Sequence, residues 1–155
     1  MKVLSRSAFS LKSIRLPSNG AMPLSEVLLD GAPTGTIVDG AILEAALAWH
    51  DLTLAFVTDD IAHEDTLRVY LFNRDVALID WATLGAMYAT GAFSGLEIVA
   101  PDVVRFRFMG GTPWTLTLMD RPRLTLPFLS DPVGVRRPIR LSRRFNLAGQ
   151  PRPES

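Results

Sequence analysis

One short acidic segment contains the side chains of this sequence that are best suited to chemistry. Residues 59–65 hold four carboxylates and one of the two histidines of the chain. The residues concerned are Asp59, Asp60, His63, Glu64 and Asp65. Imidazole titrates near neutral pH and carboxylates can orient it, so this group could exchange protons or bind a divalent metal. The spacing matches no metal-binding motif, which favours a solvated turn whose carboxylates cap nearby backbone amides.

The C-terminal third of the chain is rich in arginine, whose guanidinium group binds carboxylate and phosphate through two parallel hydrogen bonds. Ten arginines lie between residues 103 and 153, where the only acidic residues are Asp120 and Asp131. Five of these arginines are close together in sequence and are candidate anion-binding residues, namely Arg136, Arg137, Arg140, Arg143 and Arg144.

The net charge is zero, but the charges are divided into blocks along the chain. The charged side chains of residues 1–16 are all basic, and those of residues 24–102 are all acidic except Arg68 and Arg74. The acidic block is interpreted as a docking face for a basic partner, or the arginine-rich segment as a phosphate-binding strip. Alternatively, the terminal segments fold over the acidic surface and neutralise it, within one chain or across a homodimer. Zero net charge argues against nucleic-acid binding.

Apolar stretches separated by polar or Gly/Pro breaks repeat between residues 36 and 126, at the spacing typical of an antiparallel β core. Residues 103–108 alternate most clearly, with Arg105 and Arg107 on one face and apolar side chains on the other. Hairpins are predicted for residues 67–72 with 76–79, for 103–108 with 114–119, and for 40–50 with 52–57. The composition of residues 40–50 also permits a helix, but a turn at residues 50–51 favours a strand.

Prolines mark both ends of the chain as irregular. Residues 1–35 are predicted to form an irregular arm with one short helical turn at residues 25–29, and residues 127–155 a Pro/Arg-rich extended arm. Residues 81–88 are predicted to form a short helix or an irregular crossing. The expected fold is therefore one mainly β domain, an antiparallel sandwich or partly open barrel of about seven strands in a meander. This expected fold also includes one or two short helices and extended terminal arms.

The sequence carries no nucleophile elbow, phosphate-binding loop or dinucleotide motif, and without cysteine it has no thiolate nucleophile or disulfide. It shows no transmembrane or secretory segment, so a cytoplasmic location is expected. The favoured function is that of a non-catalytic protein-interaction domain without a cofactor, such as a bacterial inhibitor, an immunity protein or an adaptor. One alternative is an enzyme, or a small-molecule or metal-binding protein, that uses residues 59–65. Another is a structural subunit that forms homo-oligomers through its arms.

Overall fold

A computed structural model describes residues 1–16, 21–61, 66–85, 92–109, 111–125 and 131–149. Within these ranges the chain forms thirteen β-strands and no helix, so it contains no helix that is long and apolar enough to cross a membrane. In chain order the strands are β1 (Lys2–Val3), β2 (Phe9–Arg15), β3 (Leu24–Leu29), β4 (Ala32–Asp39), β5 (Ile42–Trp49), β6 (Leu52–Thr58), β7 (Leu67–Phe72), β8 (Leu78–Leu84), β9 (Ser94–Ala100), β10 (Val103–Phe108), β11 (Thr112–Leu124), β12 (Val135–Arg136) and β13 (Ser142–Gly149).

The strands form three antiparallel sheets, and in the described part of the chain none of them closes into a barrel. The central sheet has the order β1-β5-β6-β7-β8-β12, the four-stranded sheet β13-β11-β10-β9, and the three-stranded sheet β2-β3-β4. Most neighbouring strands are consecutive in sequence, as expected for a meander. The exceptions are the outermost strands β1 and β12 of the central sheet and β13 of the four-stranded sheet.

The central sheet is buried on both faces. On β6, Leu54 and Phe56 belong to a core cluster shared with the four-stranded sheet, whereas Ala55 and Val57 belong to a second cluster shared with the three-stranded sheet. All six residues of β7 are buried. A strand that is covered on both sides needs apolar side chains at consecutive positions, which accounts for the four consecutive apolar residues 54–57 of β6.

The four-stranded sheet is packed on one face only, and its strands alternate accordingly. On β10, Val104, Phe106 and Phe108 are buried, whereas Arg105 and Arg107 are exposed. The Phe106 ring lies 5.1 Å from the Phe56 ring of the central sheet, measured between ring centroids. The alternation predicted for residues 103–108 is therefore confirmed, and it leaves an outer face of this sheet in solvent.

The mainly β, antiparallel character and all three predicted hairpins are confirmed. Residues 42–49 form a strand and not a helix, and the following His50 adopts a positive φ of 52° in the turn to β6. Two of the predicted helical positions are wrong in the described residues. Residues 25–29 lie in β3, and residues 81–84 lie in β8, while the rest of the 81–88 prediction falls beyond the described range that ends at residue 85.

The prediction of about seven strands with irregular terminal arms is also wrong. The first 35 residues contain β1, β2, β3 and the start of β4, and the C-terminal segment contributes β12 and β13. Ser25 is buried in β3, and its hydroxyl donates to the Gly40 carbonyl at 2.8 Å. This backbone partner lies across the sheet, so the local sequence of residues 24–29 does not reveal it.

Proline does not exclude strands here, because each of these prolines lies where at least one side of its strand has no ladder partner. Pro33 lies in the edge strand β4. Pro113 and Pro122 lie in β11, but the ladder between β11 and β13 covers only residues 114–118 and 123–124. Proline lacks an N–H donor but is tolerated at such positions, so these prolines lie within strands without preventing the sheet.

Candidate functional site

Asp59, the first residue of the predicted acidic site, follows β6 directly and forms a buried ion pair. Its two carboxylate oxygens accept hydrogen bonds from Nε and Nη2 of Arg68, at 3.1 and 2.9 Å. The exposed fractions of the two side chains are 2% for Asp59 and 8% for Arg68. Asp60 is exposed. A buried carboxylate that accepts two hydrogen bonds from one arginine stabilises the fold. The sequence instead favours a solvated turn at this position.

His63, Glu64 and Asp65 lie outside the described residues. Within the described ranges, no group of three or more histidine, aspartate or glutamate side chains is arranged to hold a metal ion. The prediction that residues 59–65 form a binding site therefore stays a prediction.

The ion pair belongs to a polar cluster on the face of the central sheet that the three-stranded sheet covers. The Tyr70 hydroxyl donates to the backbone carbonyl of Asp39 at 2.7 Å. Burial raises the pKa of Tyr70 well above its ordinary value, and the charges of Asp39 and Asp59 add to this rise. For Arg68, burial alone lowers the pKa, but the hydrogen bond and charge of Asp59 outweigh burial and raise the pKa above its ordinary value. Arg68 is therefore charged across the physiological pH range.

The raised pKa of Tyr70 predicts that the protein loses stability in alkali. A free tyrosine ionises near pH 10. Because the folded state binds the phenolic proton more tightly, this stabilising contribution is full below about pH 10 and is lost as pH rises toward the higher folded pKa. Tyr88→Phe leaves Tyr70 as the single tyrosine. Tyrosinate absorbance of this variant is expected to stay low at pH 10 while circular dichroism reports a folded protein. Half-ionisation near pH 10 with the fold intact would contradict the prediction.

Arg137, from the predicted arginine cluster, forms a second buried ion pair that joins the C-terminal segment to the central sheet. Its Nη2 atom donates to Asp80 of β8 at 2.8 Å, and 3% of each side chain is exposed. Its Nη1 atom donates to the Phe145 carbonyl at 2.9 Å, and its guanidinium carbon lies 4.2 Å from the centre of the Phe145 ring. Burial lowers the pKa of Arg137, although the charge of Asp80 opposes this change.

Three more arginines of the cluster are also engaged within the fold. Arg143 is paired with Asp131 through two hydrogen bonds, of 2.7 and 2.5 Å. Arg144 donates through Nε to the Met119 carbonyl, and Arg140 donates to the Ile79 carbonyl. Arg136 is exposed in β12. The structure thus brings together Asp80 from the acidic block and Arg137 from the arginine-rich segment, while Arg143 pairs with an aspartate of its own segment.

A concave surface of the described residues lies elsewhere, on the outer face of the four-stranded sheet. We call it the outer groove; its volume is about 810 Å³. Its polar lining includes Glu97 of β9, Arg105 and Arg107 of β10, Thr115 of β11 and Asn146 of β13. None of these residues was predicted as a site, although the alternation of residues 103–108 places both arginines on a solvent face.

The two arginines of the outer groove differ in their partners. Arg107 donates to the Gly111 carbonyl at 3.2 Å. Arg105 is exposed and makes no hydrogen bond or ion pair with any residue that the structure describes. Glu97 lies opposite Arg105 in the strand register, yet the two side chains form no ion pair. The guanidinium donors of Arg105 are therefore not used by any described residue.

No protein-family model matches this chain, and neither a curated protein nor a solved structure matches it.

Proposed function

We propose that this protein is a non-catalytic protein-interaction domain, and that its outer groove binds a carboxylate-bearing segment of a partner protein. The observation that carries the proposal is Arg105, which is exposed, has no ion-pair partner among the described residues and lines a groove of about 810 Å³. Arg107 points to the same face two positions along β10, so the two Cα atoms are about 7 Å apart. That distance matches the spacing between residues i and i+2 of an extended peptide, whose side chains lie on the same face.

The chemistry of the groove supports binding. A guanidinium group forms bidentate hydrogen bonds with a carboxylate, and Thr115 and Asn146 add neutral donors and acceptors. Pro113 and Ala148 supply apolar contact area between these polar groups. A mixture of polar groups and small apolar surfaces is typical of protein–protein interfaces.

This proposal moves the anion-binding surface away from the arginine cluster that the sequence predicts. The guanidinium groups of Arg137 and Arg143 already bind Asp80 and Asp131, so a partner would have to break buried pairs to reach them. The homo-oligomer and the cytoplasmic location stay predictions. The metal-binding alternative has no supporting observation among the described residues.

Arg105→Glu is expected to weaken binding of a short peptide of alternating glutamate and valine by about 10- to 100-fold, because a charge-assisted hydrogen bond contributes about 1.5–3 kcal/mol. Isothermal titration calorimetry at fixed salt concentration measures the change. Arg6→Glu is the matched control, because Arg6 is exposed, does not line the groove and undergoes the same change of charge.

Equal weakening in Arg105→Glu and Arg6→Glu would show a non-specific effect of net charge and would contradict the proposal. A peptide of alternating lysine and valine is expected not to bind the wild-type protein. Thermal unfolding of both variants near the wild-type temperature shows that the fold is retained.

A further inference from the structure

The lining of the outer groove includes an acidic side chain, Glu97, which stands beside Arg105. Glu97 is exposed on β9 and is in register with Arg105 of β10. The Cβ atoms of two such cross-strand neighbours are about 5 Å apart, so opposite charges lie next to each other in the groove. Glu97 makes no hydrogen bond or ion pair with any residue that the structure describes. Both charges are therefore accessible to a ligand.

A β-bulge in β9 turns Glu97 toward the groove. Between the partners of Arg105 and Arg107, β9 has two residues where β10 has one. The two residues are Gly95 and Leu96, and the φ of Gly95 is +64°, a conformation that glycine commonly adopts in a bulge. Without the extra residue, Leu96 would lie opposite Arg105, and Glu97 would face the core. Bulges are frequent next to functional sites, where they redirect side chains, so this bulge supports a binding role for Glu97.

The charges of the groove are sorted by strand. Arg105 and Arg107 give β10 two positive charges, and Glu97 gives the neighbouring β9 a negative charge. The side chains of β11 and β13 that line the groove are uncharged. A ligand segment with only acidic charges would be attracted by β10 but repelled by β9, because like charges across an interface oppose binding. The pattern is instead complementary to a segment with an acidic residue over β10 and a basic residue over β9.

A direct ion pair between Glu97 and Arg105 would not prevent such binding. Ion pairs between exposed side chains add little stability, because the charges are well solvated and ordering two long side chains costs entropy. A ligand that offers a carboxylate to Arg105 and a cation to Glu97 replaces one weak pair with two. The buried pair of Arg137 and Asp80 is different, because a ligand could reach it only at a large desolvation cost.

We propose that the segment bound by the outer groove is zwitterionic, with an acidic residue held by Arg105 and a basic residue held by Glu97. This inference rests on the proposed function and specifies the charge pattern of the ligand. Side chains at positions i and i+2 of an extended segment lie about 7 Å apart on one face, and lysine has a flexible four-carbon chain. A glutamate and a lysine two positions apart in the ligand can therefore reach Arg105 and Glu97 together.

The test compares two peptides of equal length. The acidic peptide alternates glutamate and valine, and in the mixed peptide lysine replaces every second glutamate. The wild-type protein is expected to bind the mixed peptide about 10-fold more tightly, because this peptide gains one charge-assisted contact and avoids repulsion by Glu97. Glu97→Gln is expected to weaken binding of the mixed peptide about 10-fold and to strengthen binding of the acidic peptide. Isothermal titration calorimetry at fixed salt concentration measures all four affinities.

Asp75→Asn is the matched control, because Asp75 is exposed, does not line the groove and loses the same charge. Asp75→Asn is expected to leave binding of the mixed peptide unchanged. Thermal unfolding of Glu97→Gln near the wild-type temperature shows that the fold is retained.

The outcomes separate this inference from the proposed function. The zwitterionic ligand is wrong if the wild-type protein binds the mixed peptide no more tightly than the acidic peptide. It is also wrong if Glu97→Gln weakens binding of the mixed peptide no more than Asp75→Asn does. In both cases the proposed function stands as long as Arg105→Glu weakens binding of the acidic peptide. If neither peptide binds, or if binding does not depend on Arg105, the proposed function itself is wrong.

Discussion

Asp80→Asn is expected to lower the free energy of unfolding by about 3–5 kcal/mol, because it leaves the Arg137 charge buried without a counter-charge. The Asp80 carboxylate also accepts from the backbone N–H groups of Arg144 and Trp81, at 2.9 and 2.8 Å. Asparagine has one acceptor oxygen in place of two and must leave some of these donors unsatisfied. Urea denaturation followed by tryptophan fluorescence measures the loss.

Asp51→Asn is the control for this prediction. Asp51 pairs with Arg74 at 3.1 Å, but 73% and 79% of the two side chains are exposed, so the expected loss is at most about 1 kcal/mol. The double variant Asp80→Asn, Arg137→Met is expected to be more stable than Asp80→Asn alone, because no unpaired charge remains in the interior and the amide oxygen can still accept from a backbone N–H. Similar losses for Asp80→Asn and Asp51→Asn would refute the structural role of the buried pair.

Gly40→Ala is expected to destabilise the protein by about 2–6 kcal/mol, from backbone strain and overpacking together. Gly40 is buried and has a φ of +124°, which L-residues rarely adopt. A Cβ atom at this position would also overlap Cγ1 of Val57, which is buried in the second core cluster. Differential scanning calorimetry and urea denaturation both report the loss.

Two variants separate the causes of this loss. Gly31→Ala also places a side chain on a left-handed backbone, with φ +79°, but a Cβ atom there has no neighbour within 4 Å. Its expected cost is about 1–2 kcal/mol, from the backbone alone. In a Val57→Ala background, Gly40→Ala is expected to cost less than in the wild type, because the overlap is removed. An equal cost in the two backgrounds would disprove the steric part.

Local periodicity predicted three hairpins between sequence neighbours within residues 40–119. Residues 103–108 alternate because one sheet face is covered, and the same pattern identifies Arg105 as a solvent-facing side chain. The edge strands are different, because their pairing is set by distant residues. Lys2 pairs with Ala48, and Val135 pairs with Leu84, so nothing in the local sequence of either segment indicates its partner.

The two buried ion pairs show why the candidate site was only partly predictable. Charged side chains are usually exposed, so the sequence favours a solvated turn at Asp59. Burial of Asp59 follows from the three-stranded sheet, whose strands lie in a segment predicted to be irregular. Arg137 and Asp80 are far apart in sequence and meet because β12, which Arg137 follows, pairs with β8. The pairing of these charged residues is set by the tertiary structure and not by the local sequence.

The placement of β1 and β12 at opposite edges of the central sheet bears on the order of folding. The β5–β8 meander closes only short loops, so its nucleus can form early and at low entropic cost. Strand β1 is separated from its partner β5 by β2, β3 and β4 along the chain, and β12 is separated from its partner β8 by three strands. Long loop closures of this kind raise the contact order and favour late docking of both ends. Until the two ends dock, β5 and β8 remain open edges, and the nascent chain is most exposed to aggregation during that interval.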